Sequence, residues 1–255
     1  MRPDSEAIIH DLAPRTIRVW VCGDVHVGAQ GAQLDAWQKF LDMVEEDDDA
    51  YAVFVGDLMD NATRRSKGDI WTGMSPMEAM DYITKCMRPL AAKGKVLAML
   101  TGNHELRTAR ETSIDPLYDI CVRLGIEKVY RRDFAAVRIK MKATKSSLRA
   151  YNLICFHGAS DLKTRQMMNN LEGFDALITG HTHQPIVRVP AHLCMTHSGK
   201  VVMKELVQVT ACSWCDYVGY GARGMYQPQV QSRPQALVLE WDSSQSHDKH
   251  IGVSW

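Results

Sequence analysis

Three times in its first hundred or so residues the chain repeats one device: a short apolar run, a glycine, then side chains able to hold a metal ion. Ile17 to Cys22 leads into Gly23-Asp24-Val25-His26, and Tyr51 to Val55 into Gly56-Asp57-Leu58-Met59-Asp60. Val96 to Leu100 leads into Gly102-Asn103-His104-Glu105. Each run reads as a buried strand, and the stretches between read as helices. Leu34, Trp37, Leu41 and Val44 recur at helical spacing, with the acidic run Glu45 to Asp49 closing that helix as a solvated turn. Ser75-Pro76-Met77-Glu78 joins a capping box to a proline at the first helical position. The helix it starts is predicted to reach about Met87, before Pro89. Asp115-Pro116 starts a further helix that stops near Gly125. An order β-α-β-α-β-α implies a largely parallel, buried sheet with helices outside it.

After Arg131 the pattern changes. Phe134 to Met141, Ala150 to Phe156, Ala176 to Thr179, Ile186 to Val189, Val201 to Thr210 and Ala236 to Trp241 are strand-like, with one helix at Lys163 to Leu171. A second sheet packed on the first gives the predicted fold, an α/β protein built as a four-layer α/β/β/α sandwich of two mixed sheets flanked by helices. With 255 residues, no repeat and no linker, one domain over 1–255 is expected, its core at about 15–241. The tail, 242–255, is polar and expected to fray.

Two more islands complete the set: Phe156-His157-Gly158 at the end of a strand, and Gly180-His181-Thr182-His183 just after one. Ligands of open α/β sheets bind beyond the carboxyl ends of the strands, where these residues fall. Asp24 and His26, two apart, share a side in extended chain, and His181 with His183 repeats the arrangement. Hard carboxylate oxygens mixed with imidazoles suit one or two divalent first-row ions.

Over roughly residues 17 to 210 the five islands, in this order, resemble the calcineurin-like metallophosphoesterases, a superfamily spanning protein Ser/Thr phosphatases, purple acid phosphatases, cyclic-nucleotide phosphodiesterases and repair nucleases. The resemblance implies that Asp24, His26 and His183 hold one metal and Asn103, His157 and His181 the other, with Asp57 bridging. It implies in-line attack on phosphorus by a hydroxide shared between the metals. His104 would protonate the leaving alkoxide, oriented by Asp60. Two divalent ions are expected, manganese first, with iron, zinc or nickel also compatible. Two cations about 3.5–4 Å apart acidify a shared water and clamp phosphate oxygens, so no serine or cysteine nucleophile is required.

The substrate is less constrained. Protein Ser/Thr phosphatases carry an arginine directly after the position of Asp60, where this chain has Asn61. Arg64, Arg65 and Lys67, and Arg107 and Arg110 beyond His104, are the candidate phosphate-gripping residues, with Asn103 beside them. Arg131, Arg132, Arg138, Lys140, Lys142, Lys145 and Arg149 surround a predicted hairpin, where alternation puts Ile139 and Met141 inside. The preferred reading is a solvated strand face; the alternative is a track for a nucleic-acid backbone. The loop Thr63 to Asp69 together with Gly102 to Arg107 is also similar to phage- and prophage-encoded members of the superfamily. These features favour a phosphodiesterase or nuclease acting on DNA or nucleotides. Alternatives are a phosphomonoesterase or protein phosphatase, or a non-catalytic scaffold of the same fold.

Remaining features are assigned structural roles. The net charge is zero, no apolar stretch approaches a membrane span, and the N-terminus has no secretory pattern, so a cytoplasmic protein without a membrane partner is expected. The seven cysteines are scattered and read as reduced. Cys212 and Cys215 read as a thiol pair in preference to a structural zinc with His192, Cys194 and His197. His10, His192, His197, His247 and His250 are expected on surfaces or loops. Met74, Met77, Met80 and Met87 read as core. Trp214, Tyr217 and Tyr220 read as packing rather than as a base-stacking loop.

Overall fold

The computed structural model describes residues 5–63, 73–142, 148–195, 198–216, 233–241 and 251–255. Arg64, Arg65, Lys67, Lys145, His197, Tyr217, Tyr220, His247 and His250 therefore lie outside the described residues. The first half alternates: β1 (Ile8–Leu12), β2 (Ile17–Cys22), α1 (Leu34–Glu46), β3 (Ala50–Phe54), α2 (Pro76–Ala92), β4 (Val96–Leu100), α3 (Glu105–Thr112), α4 (Pro116–Leu124) and β5 (Tyr130–Arg131). The second half is rich in strands: β6 (Phe134–Lys142), β7 (Leu148–Phe156), α5 (Asp161–Met168), β8 (Ala176–Thr179), β9 (Ile186–Arg188), β10 (Ala191–Met195), β11 (Val201–Glu205), β12 (Val207–Thr210), β13 (Gln235–Leu239) and β14 (Ile251–Ser254).

Two six-stranded mixed sheets result, ordered β14-β13-β2-β3-β4-β5 and β1-β6-β7-β8-β12-β9. The parallel trio β2-β3-β4 at the centre of the first is the predicted one. Its strands are apolar on both faces because both are covered. Ile17, Val19 and Val21 of β2 pack toward the second sheet, whereas Trp20 and Cys22 face α1, α2 and α4. Each fully buried large aliphatic side chain contributes about 1.5–3 kcal/mol, so this double burial anchors the framework. α5 covers the outer side of the second sheet through Met168 against Ile154 and Leu177. The predicted layering of two mixed sheets flanked by helices holds.

Several local predictions are corrected. α2 does not stop before Pro89 but runs through it to Ala92. Pro89 is exposed while Met87 and Leu90 on either side are buried, and docking of Leu90 offsets the missing backbone donor. Met74 and Met77 are exposed, leaving only Met80 and Met87 in the core. The acidic run is not merely solvated. Glu45 and Glu46 belong to α1, and Asp47 takes a two-pronged ion pair from Arg18. Val201 to Thr210 is two strands broken at Leu206, which is buried.

Arg131 is no surface charge. It is buried and donates to the carbonyls of Lys128, Tyr130 and Glu6. His10 is not a loop residue either: from β1 its Nε2 donates to Leu97 O of β4, tying the two sheets together. The tail does not fray throughout, since β14 pairs antiparallel with β13 and buries Ile251. The β6 alternation is as predicted, with Ile139 and Met141 buried and Arg138 and Lys142 exposed. No helix among the described residues is long and apolar enough to cross a membrane.

Candidate metal centre

The loops after β2 and β3 leave their strands side by side and stay zipped together. Asp24 N donates to Gly56 O, His26 N to Asp57 O, and Asp60 N to Val27 O, all within 3.0 Å. Within this ladder, side chains reach the cleft only by a change of hand. Asp24, His26, Asp57, His181 and His183 all adopt left-handed backbone, with φ of 52°, 54°, 52°, 72° and 59°. Asp and His tolerate this region better than most residues, yet each such position costs about 1 kcal/mol or more. Close approach of the loops requires glycine at Gly102, where a Cβ would lie 2.1 Å from Asp57 Oδ1.

Three ligand-type clusters form, each with its donor atoms within 4.8 Å of one another: Asp24-His26-His183, Asp57-His157-His181 and His26-Asp60-His104. Asn103 Oδ1 joins the second, 2.9 Å from His157 Nε2 and 2.8 Å from His181 Nδ1. Every predicted ligand is thus in one region. So are His104, Asp60 and Arg107, whereas Arg64 and Arg65 fall outside the described residues.

The electrostatics suit cations. Burial raises the Asp24 carboxyl to about 7, only partly offset by His157. Its Oδ1 is buried without a hydrogen-bond partner among the described residues. Burial, with His104 nearby, holds His26 well below the ordinary imidazole value. Burial also takes His183 down to about 4, so both imidazoles are neutral, the form that can ligate a cation. His26 Nε2 and His183 Nε2 stand 3.2 Å apart, within reach of a common cation.

In the second cluster, burial opposes charge on His157, but the Asp57 carboxylate beside it raises the imidazole to about 10. Although burial works against Asp57, His157 pulls it well below the usual carboxylate range. His157 Nδ1 donates to Val55 O at 2.7 Å, which directs Nε2 at the cluster. Asp57 Oδ2 lies 3.2 Å from that Nε2, where a metal would replace the proton. The donor set fits divalent cations in both clusters.

His104 sits at the edge of the first cluster, its ring 4.4 Å from that of His26. Its Nδ1 donates to Asp60 O at 2.7 Å and lies 3.3 Å from Asp60 Oδ1. Burial disfavours its charge, but Asp60 and Asp57 together hold its pKa above the ordinary value. Arg107 Nη2 is 2.9 Å from His104 Nε2.

Sequence reasoning missed two supports. Glu105, fully buried, accepts the backbone N–H groups of Asp57, Met59 and Gly102 at 2.9–3.0 Å. It thereby sets the ligand loops after β3 and β4 in place. Its position after His104 was visible, but nothing in its type or spacing distinguished it from a surface acid. The other support is the segment after β12, where Trp214 N and Ser213 Oγ donate to Asp24 O. Trp214 is buried against Phe40, as the packing reading required. Asn61, where the protein phosphatases carry arginine, is buried and donates to His104 O while accepting from Thr108. Neither Cys212 nor Cys215 belongs to a metal-type cluster among the described residues.

The chain is similar to Vacuolar Protein Sorting 29 from Cryptosporidium parvum (12% identity, 94% of this chain and 97% of that one, TM-score 0.42). It is also similar to a metallophosphoesterase from Sphaerobacter thermophilus (12%, 88% and 84%, 0.42). A third similar structure is the calcineurin-like phosphoesterase YfkN from Bacillus subtilis (11%, 94% and 90%, 0.38). No curated protein matches the chain. The calcineurin-like phosphoesterase family, in contrast, matches residues 17–185, the stretch that carries every one of the ligand islands. On that match, the chain belongs to the calcineurin-like phosphoesterase family.

Proposed function

We propose that this protein hydrolyses phosphodiesters of nucleotide or nucleic-acid type with two divalent ions bound, manganese foremost. Asp24, His26 and His183 would hold one ion, and Asn103, His157 and His181 the other, with Asp57 shared. When bound, such a pair acidifies water and neutralises charge on phosphate oxygens. The chain's own groups do the rest. His104 donates Nδ1–H to Asp60 O and its Nε2 accepts from Arg107 Nη2; with Arg107 turned to the phosphate, that Nε2, once protonated, would be the proton donor to the leaving alkoxide. Arg107, beside that nitrogen, offers charge-assisted hydrogen bonds to the non-bridging phosphate oxygens. The left-handed ligand residues keep the donors in place before any substrate arrives.

The observation that carries this reading is the adjacency of two carboxylate–imidazole clusters with His104 and Arg107 at their border. It is tested by stripping and reconstituting the protein with manganese and assaying bis(p-nitrophenyl) phosphate and p-nitrophenyl phosphate. Two metal equivalents per chain and a preference for the diester are expected. Asp57→Asn should lower kcat/KM by more than the ~100-fold typical of residues that merely orient ligands. A metal-loaded protein inert toward both esters refutes the enzyme, and dominant monoesterase activity moves the assignment to phosphomonoesters.

A further inference from the structure

A cavity of about 500 Å³ opens beside the second cluster. It touches Asn103, His157 and His181 and is lined by none of Asp24, His26, His183 or His104. It is a largely apolar recess of the size that holds small organic ligands, about 300–1,000 Å³.

The recess has a specific wall. Leu106, Phe156 and Met167 are half-buried and line it. Phe134 stacks on Phe156 with ring centroids 5.6 Å apart, fixing the aromatic ring in place. A rigid phenyl ring beside a thioether favours a flat π-system, which stacks on the one and meets the polarisable sulfur of the other. At the rim stand Arg132, Asp133 and Lys163. Charges of both signs suit the donor and acceptor edges of a heterocycle, and Asp133 disfavours a second phosphate there. Ser160, which makes no capping bond to α5, adds a hydroxyl at the same mouth. The cationic strand positions Arg138 and Lys142 do not line this space. They lie four and eight residues along β6 from Phe134, so Lys142 is about 26 Å distant at ~3.3 Å per residue.

From this geometry we infer that the cavity is a nucleoside subsite: it receives the half of the ester that stays on phosphorus, with its base against Phe156 and Met167. This rests on the phosphodiesterase reading above and sharpens it, making the preferred substrate a single nucleoside phosphodiester rather than an intact duplex. Water forms the new P–O bond, and the bond that breaks joins phosphorus to the ester group outside the recess. The proton goes to that departing oxygen, and a nucleoside monophosphate remains in the recess.

The test compares two diesters with the same leaving group, thymidine 5′-(p-nitrophenyl phosphate) and methyl p-nitrophenyl phosphate, on the full chain reconstituted with manganese. The nucleoside ester should have a kcat/KM about tenfold or more higher, the scale expected for one stacked base. Phe156→Ala and Met167→Glu should each bring the ratio toward one; Met167 is half-exposed, so the second variant remains foldable. A wild-type ratio near one, or a ratio untouched in both variants, overturns the subsite. If neither ester is hydrolysed, the fault lies with the enzymatic reading, and the cavity is decided by calorimetry with thymidine 5′-monophosphate. Binding that Met167→Glu abolishes supports the subsite; no binding, or equal binding, rejects it.

Discussion

Glu105 shows how much of the centre depends on a residue outside the three ligand-type clusters. Three buried N–H groups from two ligand loops converge on its carboxylate. Truncation to Glu105→Ala would leave them unpaired, at about 1–3 kcal/mol each. The expected result is a loss of about 3 kcal/mol or more in urea unfolding, together with weaker manganese binding by calorimetry. Wild-type stability in that variant would show that the loops hold themselves. The ligands themselves were legible in the chain because metal chemistry is local: Asp-x-His and His-x-His mark a site by residue type alone. Glu105 was not, since its partners are backbone groups, two of the three more than forty residues away. Asn61 was visible as a departure from the protein phosphatases, but its use as a staple between His104 and Thr108 depends on a fold that spacing does not encode.

At the level of elements, legibility followed burial. β2, β3, β4 and β8 were read almost to the residue because they are predominantly apolar runs, almost wholly buried on both faces. α3 escaped because its one buried side chain is Glu105, so it carries no apolar stripe. β1 and β14 escaped as short edge strands whose pairing partners lie more than ten residues distant and which bury one residue each, Ile8 and Ile251. β1 carries the His10 bridge between sheets, and this gives a pH signature. Burial lowers the folded pKa of His10, although the bond to Leu97 O and the nearby Asp11 partly oppose it. Above the unfolded value of about 6.5 both states are neutral and the contribution is intact. As pH falls through that value the unfolded chain takes a proton that the folded one resists, so stability is lost on acidification. His10→Gln should therefore lose less stability than the wild type between about pH 7.5 and pH 5.5 in denaturant titrations. An identical slope would place the titration elsewhere.

For the whole molecule, the centre joins residues from both halves of the chain, so bound ions should act as cross-links between the sheets. Chelation is expected to lower Tm, and manganese at a hundred times its dissociation constant to restore about 2.7 kcal/mol per site. Differential scanning calorimetry with and without chelator measures it; a Tm indifferent to metal would mean that the clusters bind none. The same long-range closure bears on how the protein is made. His26 and His183 meet although 157 residues separate them, and the clasp on Asp24 comes later still, from Ser213 and Trp214. While the chain is still leaving the ribosome, Asp24, His26 and Asp57 are already outside and their imidazole partners do not yet exist. The first cluster therefore cannot be complete until the chain has been made past His183, nor its clasp until Trp214 has followed.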